Sequence, residues 1–240
     1  MMKRIGIVRE QSFYSEALQE EMTLLIYSPR NFSPFLHYNL LIAQDGLDYF
    51  RFGRIARQVE TLMEEDMKQL IIIGIPYTNV DDRKEKYHPD GHKFKKYMNF
   101  LTNELVPYLD NQFPALKGKS EYTLIGDSLA ATVSLMAGLL QPAVFTKLIL
   151  QSPYVNEVVL QAVENFTSSS SPVIYHQIGD KETEVKMMDG CVKDFLTPNR
   201  ELNKLLTQKG FSSFYEEFKG EHLWKYWQAS LTPIFRAMFN

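Results

Sequence analysis

Cysteine is nearly absent from this sequence: Cys191 stands alone among 240 residues. An internal disulfide framework is thereby excluded, and a reducing compartment is the natural setting. An excess of either charge is also missing. The 29 acidic and 26 basic side chains nearly balance, and a net charge of -3 gives no electrostatic reason to expect nucleic acid or an anionic membrane as partner. No apolar run approaches the ~18 residues that would span a bilayer. At the start, Lys3 and Arg4 precede only a short Ile5-Gly6-Ile7-Val8 run before charge returns at Arg9 and Glu10. That is no secretory signal, so cytoplasmic residence is the expectation.

What is present fits a globular enzyme-sized chain. An apolar fraction of 45% against 23% charged residues supplies a sizeable core. No long linker or internal repeat interrupts the chain, so residues 1–240 are expected to form a single domain. Short apolar runs alternate with longer amphipathic ones. The strand candidates are Met22–Tyr27, Asn39–Ala43, Gln69–Ile75, Tyr122–Ile125, Lys147–Leu150, Val173–Ile178 and Ser213–Phe218. After residue 68 these are nearly all apolar, as strands buried on both faces of a parallel sheet are. Helical patterns cover Arg54–Glu65, Phe94–Asn111, Leu129–Leu140, Asn199–Lys209 and Leu223–Met238, with Gly210 as a C′ residue. The alternation predicts an α/β fold, a mostly parallel central sheet with helices on both faces. The closely spaced first strands predict an antiparallel opening meander. The Ser168–Ser171 run before Pro172 reads as a loop.

Reactive groups in such sheets collect at the carboxyl ends of strands, and four of those ends carry unusual residues. Gly126-Asp127-Ser128-Leu129-Ala130 joins a strand to a helix in a G-x-S-x-G-like elbow with Ala in the last place. Such a turn exposes the Ser128 hydroxyl at a helix N-terminus, where free N–H groups favour developing negative charge. Gly220-Glu221-His222 follows the last strand. Among five histidines only His222 both follows a late strand end and comes after Ser128 at a suitable remove, so it is the candidate base. Asp180, Glu182 and Glu184 compete as the acid that would fix its tautomer. Gln44-Asp45-Gly46-Leu47 could supply a second oxyanion N–H beside that of Leu129, although a plain Asp-Gly turn reads the same way.

Together these segments resemble the putative esterase family, which includes esterase D and the enterochelin (siderophore) esterases. The likeness runs from Ser15-Glu16-Ala17-Leu18 and Leu25–Pro29 through Asp45-Gly46 to Gly220-Glu221-His222-Leu223-Trp224-Lys225-Tyr226-Trp227, its most specific part. Asp82–Pro89 resembles the family's Arg-to-Tyr-x-Pro loop. The resemblance implies an α/β-hydrolase fold, no metal or cofactor, and a Ser–acid–His triad cleaving an ester or thioester of a small molecule through an acyl-enzyme. It maps the acid to Glu182, with Asp180 as runner-up, and the oxyanion donors to Leu47 and Leu129. It also puts Arg83 and Trp224 beside the substrate. Ala130 departs from the family's usual Gly, and some siderophore-esterase relatives manage with little acid contribution. The stretch from Leu150 to Pro172 carries no large lid, which disfavours a lipase with interfacial activation.

Other readings compete. The same triad could transfer the acyl group to an alcohol, or the fold could persist as a non-catalytic binding module. His88 and His92 flank Pro89-Asp90-Gly91, which forbids the helical pairing of a zincin-type metal site. Cys191 has no local His partner and reads as an inert thiol. Trp224 and Trp227 could wall an acyl or aromatic pocket, but tryptophan on an amphipathic helix is more often core.

Overall fold

Leu70–Ile75 is buried at every position, so both faces of that strand must be covered. The computed structural model, which describes residues 6–113, 122–187 and 190–240, provides that cover. Lys3, Arg4 and Ile5 of the opening run, and Met188 and Asp189 near Cys191, lie outside the described residues.

Eight strands form one sheet: β1 (Ile7–Ser15), β2 (Glu20–Ser28), β3 (Asn39–Gln44), β4 (Leu70–Ile75), β5 (Tyr122–Asp127), β6 (Phe145–Gln151), β7 (Val173–Gly179) and β10 (Ser213–Phe218). The spatial order is β1-β2-β4-β3-β5-β6-β7-β10. From β4 through β10 every pairing is parallel, whereas β1–β2 and β2–β4 are antiparallel. The antiparallel opening is therefore made by β1, which the strand pattern does not reveal, and β2. The Asn39 strand joins the parallel set between β4 and β5. β1 escapes notice because it is an edge strand with Arg9, Glu10, Gln11 and Ser12 in its middle, almost all exposed. Two further strands, β8 (Val185–Lys186) and β9 (Val192–Lys193), form a separate small hairpin.

Alternate residues of each strand serve opposite cores. Leu40 and Ile42 join one cluster with Ile71 and Ile73, while Leu41 and Ala43 join the other with Leu70 and Ile72. The second cluster is closed by α1 (Gly46–Arg51), α2 (Ile55–Glu64) and α9 (Trp224–Phe239). The first is closed by α3 (Val80–Tyr87), α4 (Phe94–Asn99), α5 (Val106–Gln112), α6 (Leu129–Leu140), α7 (Glu157–Glu164) and α8 (Leu196–Gln208). A π-helical segment, Phe100–Leu105, joins α4 to α5, so the stripe read as one helix contains a wider turn. Within it Glu104 accepts hydrogen bonds from Ser15 Oγ and the Ala17 N–H. Gly210 takes φ 78°, the left-handed value expected of a C′ residue.

Three helices, α1, α3 and α7, have no counterpart in the sequence pattern, and the last two share a capping device. α3 is charged on most sides, and α7 lies in the stretch between Leu150 and Pro172. Each is capped by an Asn side chain, Asn79 bonding the Asp82 N–H and Asn156 bonding the Val159 N–H. α7 buries Val159 and Val163 on the body and is no lid. No described helix is long and apolar enough to cross a membrane.

Candidate active site

β5 delivers Ser128 at its carboxyl end in a conformation that L-residues avoid, with φ 52° and ψ -124°. Such a residue costs on the order of 1–3 kcal/mol and persists only when its surroundings fix it. Here the Ser128 N–H donates to the Gln151 carbonyl at 2.8 Å, and its own carbonyl accepts from Ala131, Thr132 and Tyr154. Gly126 is required by close approach: a Cβ there would lie 2.2 Å from the Ala130 carbonyl oxygen. Ala130, fully buried, is accommodated. The Leu129 N–H belongs to the first turn of α6, where no intrahelical acceptor is available.

Glu182, wholly buried after β7, is the carboxylate that meets His222. Its Oε2 lies 2.6 Å from His222 Nδ1. Oε1 accepts from the Gly179 N–H at 2.8 Å and from Ser152 Oγ at 2.7 Å. A side chain at 179 would collide with that oxygen, since a Cβ would lie 2.7 Å from it. Asp180 points elsewhere and accepts from the Gly220 N–H at 2.9 Å. Glu184 is exposed. His222 itself is 16% exposed and wedged between the Phe195 and Trp227 rings, at 4.5 and 4.8 Å between centroids. With Nδ1 engaged by Glu182, Nε2 is the atom free to take a proton.

Ser128 and His222 are linked through adjacent strand ends. Ser128 bonds Gln151 at the end of β6; its neighbour Ser152 bonds Glu182, which bonds His222 beyond the end of β10. Because β5, β6, β7 and β10 are consecutive and parallel, all four groups emerge at one edge of the sheet. Ser152 is a component that the sequence reading missed. It too adopts a positive φ, 49°, and its hydroxyl receives the Trp227 Nε1–H at 3.0 Å. A polar pair, Gln151-Ser152, directly after the apolar run Leu148–Leu150 was the available signal.

The early strand end is a helix start rather than an Asp-Gly turn. Asp45 has φ 54° and opens α1, and the Asp48 and Tyr49 N–H groups return to its carbonyl. The Gly46 and Leu47 N–H groups are left without intrahelical acceptors. Gly46 is obligatory because a Cβ would lie 2.3 Å from the Gly74 Cα. Arg83 grips Asp45 with Nε at 2.8–3.0 Å and Nη2 at 2.6 Å. It is thus engaged as the partner of a buried carboxylate and also lies over the Tyr77 and Tyr87 rings. Burial works against the Arg83 charge, but Asp45 more than offsets it and raises the pKa. Asp127, inside the elbow, is pushed well above the usual carboxylate range by burial and then by Asp45, with Arg83 opposing. Its Oδ1 has no hydrogen-bond partner among the described residues.

Trp224 is partly buried, edge-on to Tyr49 and Trp227 and beside the exposed Phe52 ring. It therefore belongs to both packing and rim. Trp227 is core. Cys191 is exposed. Among the described residues no group of three or more His, Cys, Asp or Glu side chains could hold a metal ion.

Comparison with known proteins agrees with this architecture. Residues 15–238 match the family described as Putative esterase. The protein YjcH of Bacillus subtilis (strain 168) is 49% identical over 239 residues, covering 99% of this chain and 100% of its own. A ferulic acid esterase superposes with a TM-score of 0.79 at 15% identity, over 99% of this chain and 100% of its own. The enterobactin esterase FES from Shigella flexneri gives 0.78 at 17%, over 97% of this chain but 60% of that one. This chain therefore spans about three fifths of the Shigella protein. These superpositions identify the fold as that of the α/β-hydrolases. On the match across residues 15–238, the chain belongs to the putative esterase family.

Proposed function

We propose that this member of an esterase family is a serine hydrolase that cleaves a carboxylic ester or thioester of a small to medium-sized molecule. Ser128 Oγ attacks the carbonyl carbon while His222 Nε2 takes its proton. The tetrahedral oxyanion is held by the Leu47 and Leu129 N–H groups. Collapse expels the alcohol, which leaves with the proton from His222, and the acyl group stays on Ser128. Water, deprotonated by the same imidazole, then releases the acid. Glu182 keeps the His222 proton on Nδ1 and stabilises the imidazolium.

The observation that carries this reading is the 2.6 Å contact between His222 Nδ1 and a fully buried, doubly hydrogen-bonded Glu182. A surface histidine has no need of such a partner. A non-catalytic binding module would gain nothing from the strained Ser128 backbone. A siderophore-type substrate is supported only by the likeness to enterobactin esterases, and a panel of short acyl esters with catechol-type lactones would sort the natural class. The mechanism is tested by reacting the protein with a fluorophosphonate probe. Labelling should be lost in Ser128→Ala, and turnover of 4-nitrophenyl acetate should fall about 10³-fold or more. Near-normal hydrolysis by Ser128→Ala would overturn it.

A further inference from the structure

Beside the backbone of the proposed nucleophile, Tyr154, Lys193 and His88 come together from three separate elements. Tyr154, in the loop after β6, is fixed at both ends of its backbone. Its N–H bonds the Ser128 carbonyl at 3.2 Å, and its carbonyl receives the Thr132 hydroxyl at 2.6 Å. Its ring lies 5.9 Å from Phe195, the ring that packs on His222. Lys193 of β9 sits over the Tyr154 ring at 4.6 Å and donates to the phenol oxygen at 3.0 Å. That bond leaves the phenol proton and two ammonium protons to be given elsewhere. No carboxylate lies within ion-pair distance of Lys193 among the described residues.

His88, following α3, brings its ring within 5.4 Å of Tyr154. Its Nδ1 accepts the Asp90 N–H at 3.2 Å, so the neutral ring carries its proton on Nε2. Burial, and beyond it Lys193 and Lys84, keeps this imidazole on the neutral side, against Asp90 and Glu85. The Asp90 carboxylate stands 3.7 Å from Nδ1 and is mostly exposed. The cluster thus offers one ammonium, one phenol O–H and one imidazole N–H, and bears a single positive charge. By contrast, the Phe52–Trp224 ring pair carries no charge.

We propose that Tyr154, Lys193 and His88 form a subsite for a carboxylate carried by the ester substrate. The inference rests on the hydrolase reading above. A carboxylate is acceptor-only and planar, and its one negative charge matches the one ammonium; a phosphate would bring more charge than the cluster balances. Charge-assisted bonds of this kind are shorter and stronger than neutral ones, and the exposure of Lys193 keeps the expected gain modest.

The experiment compares matched esters, each normalised to its rate with hydroxide. One pair places the charge on the alcohol side (4-acetoxybenzoate against 4-acetoxybenzamide). The other places it on the acyl side (4-nitrophenyl hydrogen glutarate against its methyl ester). The wild-type protein should favour the anionic member of at least one pair by about 10-fold in kcat/KM, chiefly through KM. Lys193→Gln should bring that ratio close to unity, Tyr154→Phe should reduce it, and Lys193→Arg should retain most of it. A wild-type ratio near unity, or one unmoved by Lys193→Gln and Tyr154→Phe, overturns the subsite. A loss shared equally by both members of each pair assigns Lys193 a structural role and overturns it as well. Folded protein that turns over no ester of either pair overturns the hydrolase reading first, and this one with it.

Discussion

Replacing Glu182 with Gln removes one charge and leaves the shape almost unchanged, yet the bonding around it dictates a large effect. In the wild type both carboxylate oxygens are acceptors. Oε1 receives the Gly179 N–H and the Ser152 hydroxyl, and Oε2 receives His222 Nδ1–H. A glutamine has only one acceptor oxygen. Gly179 N–H is a fixed backbone donor, so the amide oxygen must stay at Oε1 and the NH2 must face His222. Nδ1 then has to accept, which moves the imidazole proton to Nε2. In that tautomer Nε2 cannot take a proton from Ser128. The loss expected for a wrong-tautomer base is about 10³–10⁴-fold in kcat. Stability should change little, because every buried donor keeps an acceptor. Asp180→Asn is the control: an amide oxygen can still accept from Gly220 N–H, and activity should stay within about threefold. Steady-state hydrolysis of 4-nitrophenyl acetate, with thermal unfolding of each variant, decides the matter. If Glu182→Gln kept more than about a tenth of wild-type kcat while remaining folded, the tautomer argument would be refuted.

Two further outcomes are expected. His176, wholly buried with Nε2 2.7 Å from Asn199 Oδ1, is lowered by burial to about 4. The unfolded chain, with a histidine value near ~6.5, therefore takes up this proton first as the pH falls. Stability should decline between about pH 6.5 and 4, by on the order of 3 kcal/mol, and level off below; denaturant titrations of wild type and His176→Gln should differ in pH slope by close to one proton, and equal slopes would refute it. Arg83→Leu strands the buried Asp45 carboxylate and should cost about 3–5 kcal/mol, with part recovered by adding Asp45→Asn; a loss below about 1 kcal/mol would show the pair to be dispensable.

The sequence discloses the parts of this molecule that depend on periodicity. Leu70–Ile75 announces two-sided burial, and a strand, Gly-x-Ser and an apolar helix in succession announce the elbow. It does not disclose which of Asp180, Glu182 and Glu184 turns inward, because residues two apart in a loop have no fixed face. That choice is made by the turn in which the Glu182 N–H meets the Gly179 carbonyl, and by the space a missing Cβ leaves at Gly179. Resemblance, not spacing, selected Glu182. Ser152 and Tyr154 were invisible for a related reason: their importance lies in contacts to chain 30 or more residues away. The resemblance implies that Arg83 lies beside substrate, and nothing in the chain signals that Asp45, thirty-eight residues earlier, also engages it.

Both tryptophans of the chain lie within this one locality: Trp224 and Trp227 are 5.6 Å apart, and the indole of Trp227 touches Ser152 and stands edge-on to His222. Indole emission responds to a neighbouring charge and to the loss of its own hydrogen bond. The intrinsic fluorescence of the protein is therefore a built-in meter of what happens at the imidazole. Stopped-flow mixing with an ester or a covalent inhibitor should register each event there optically, without any added label.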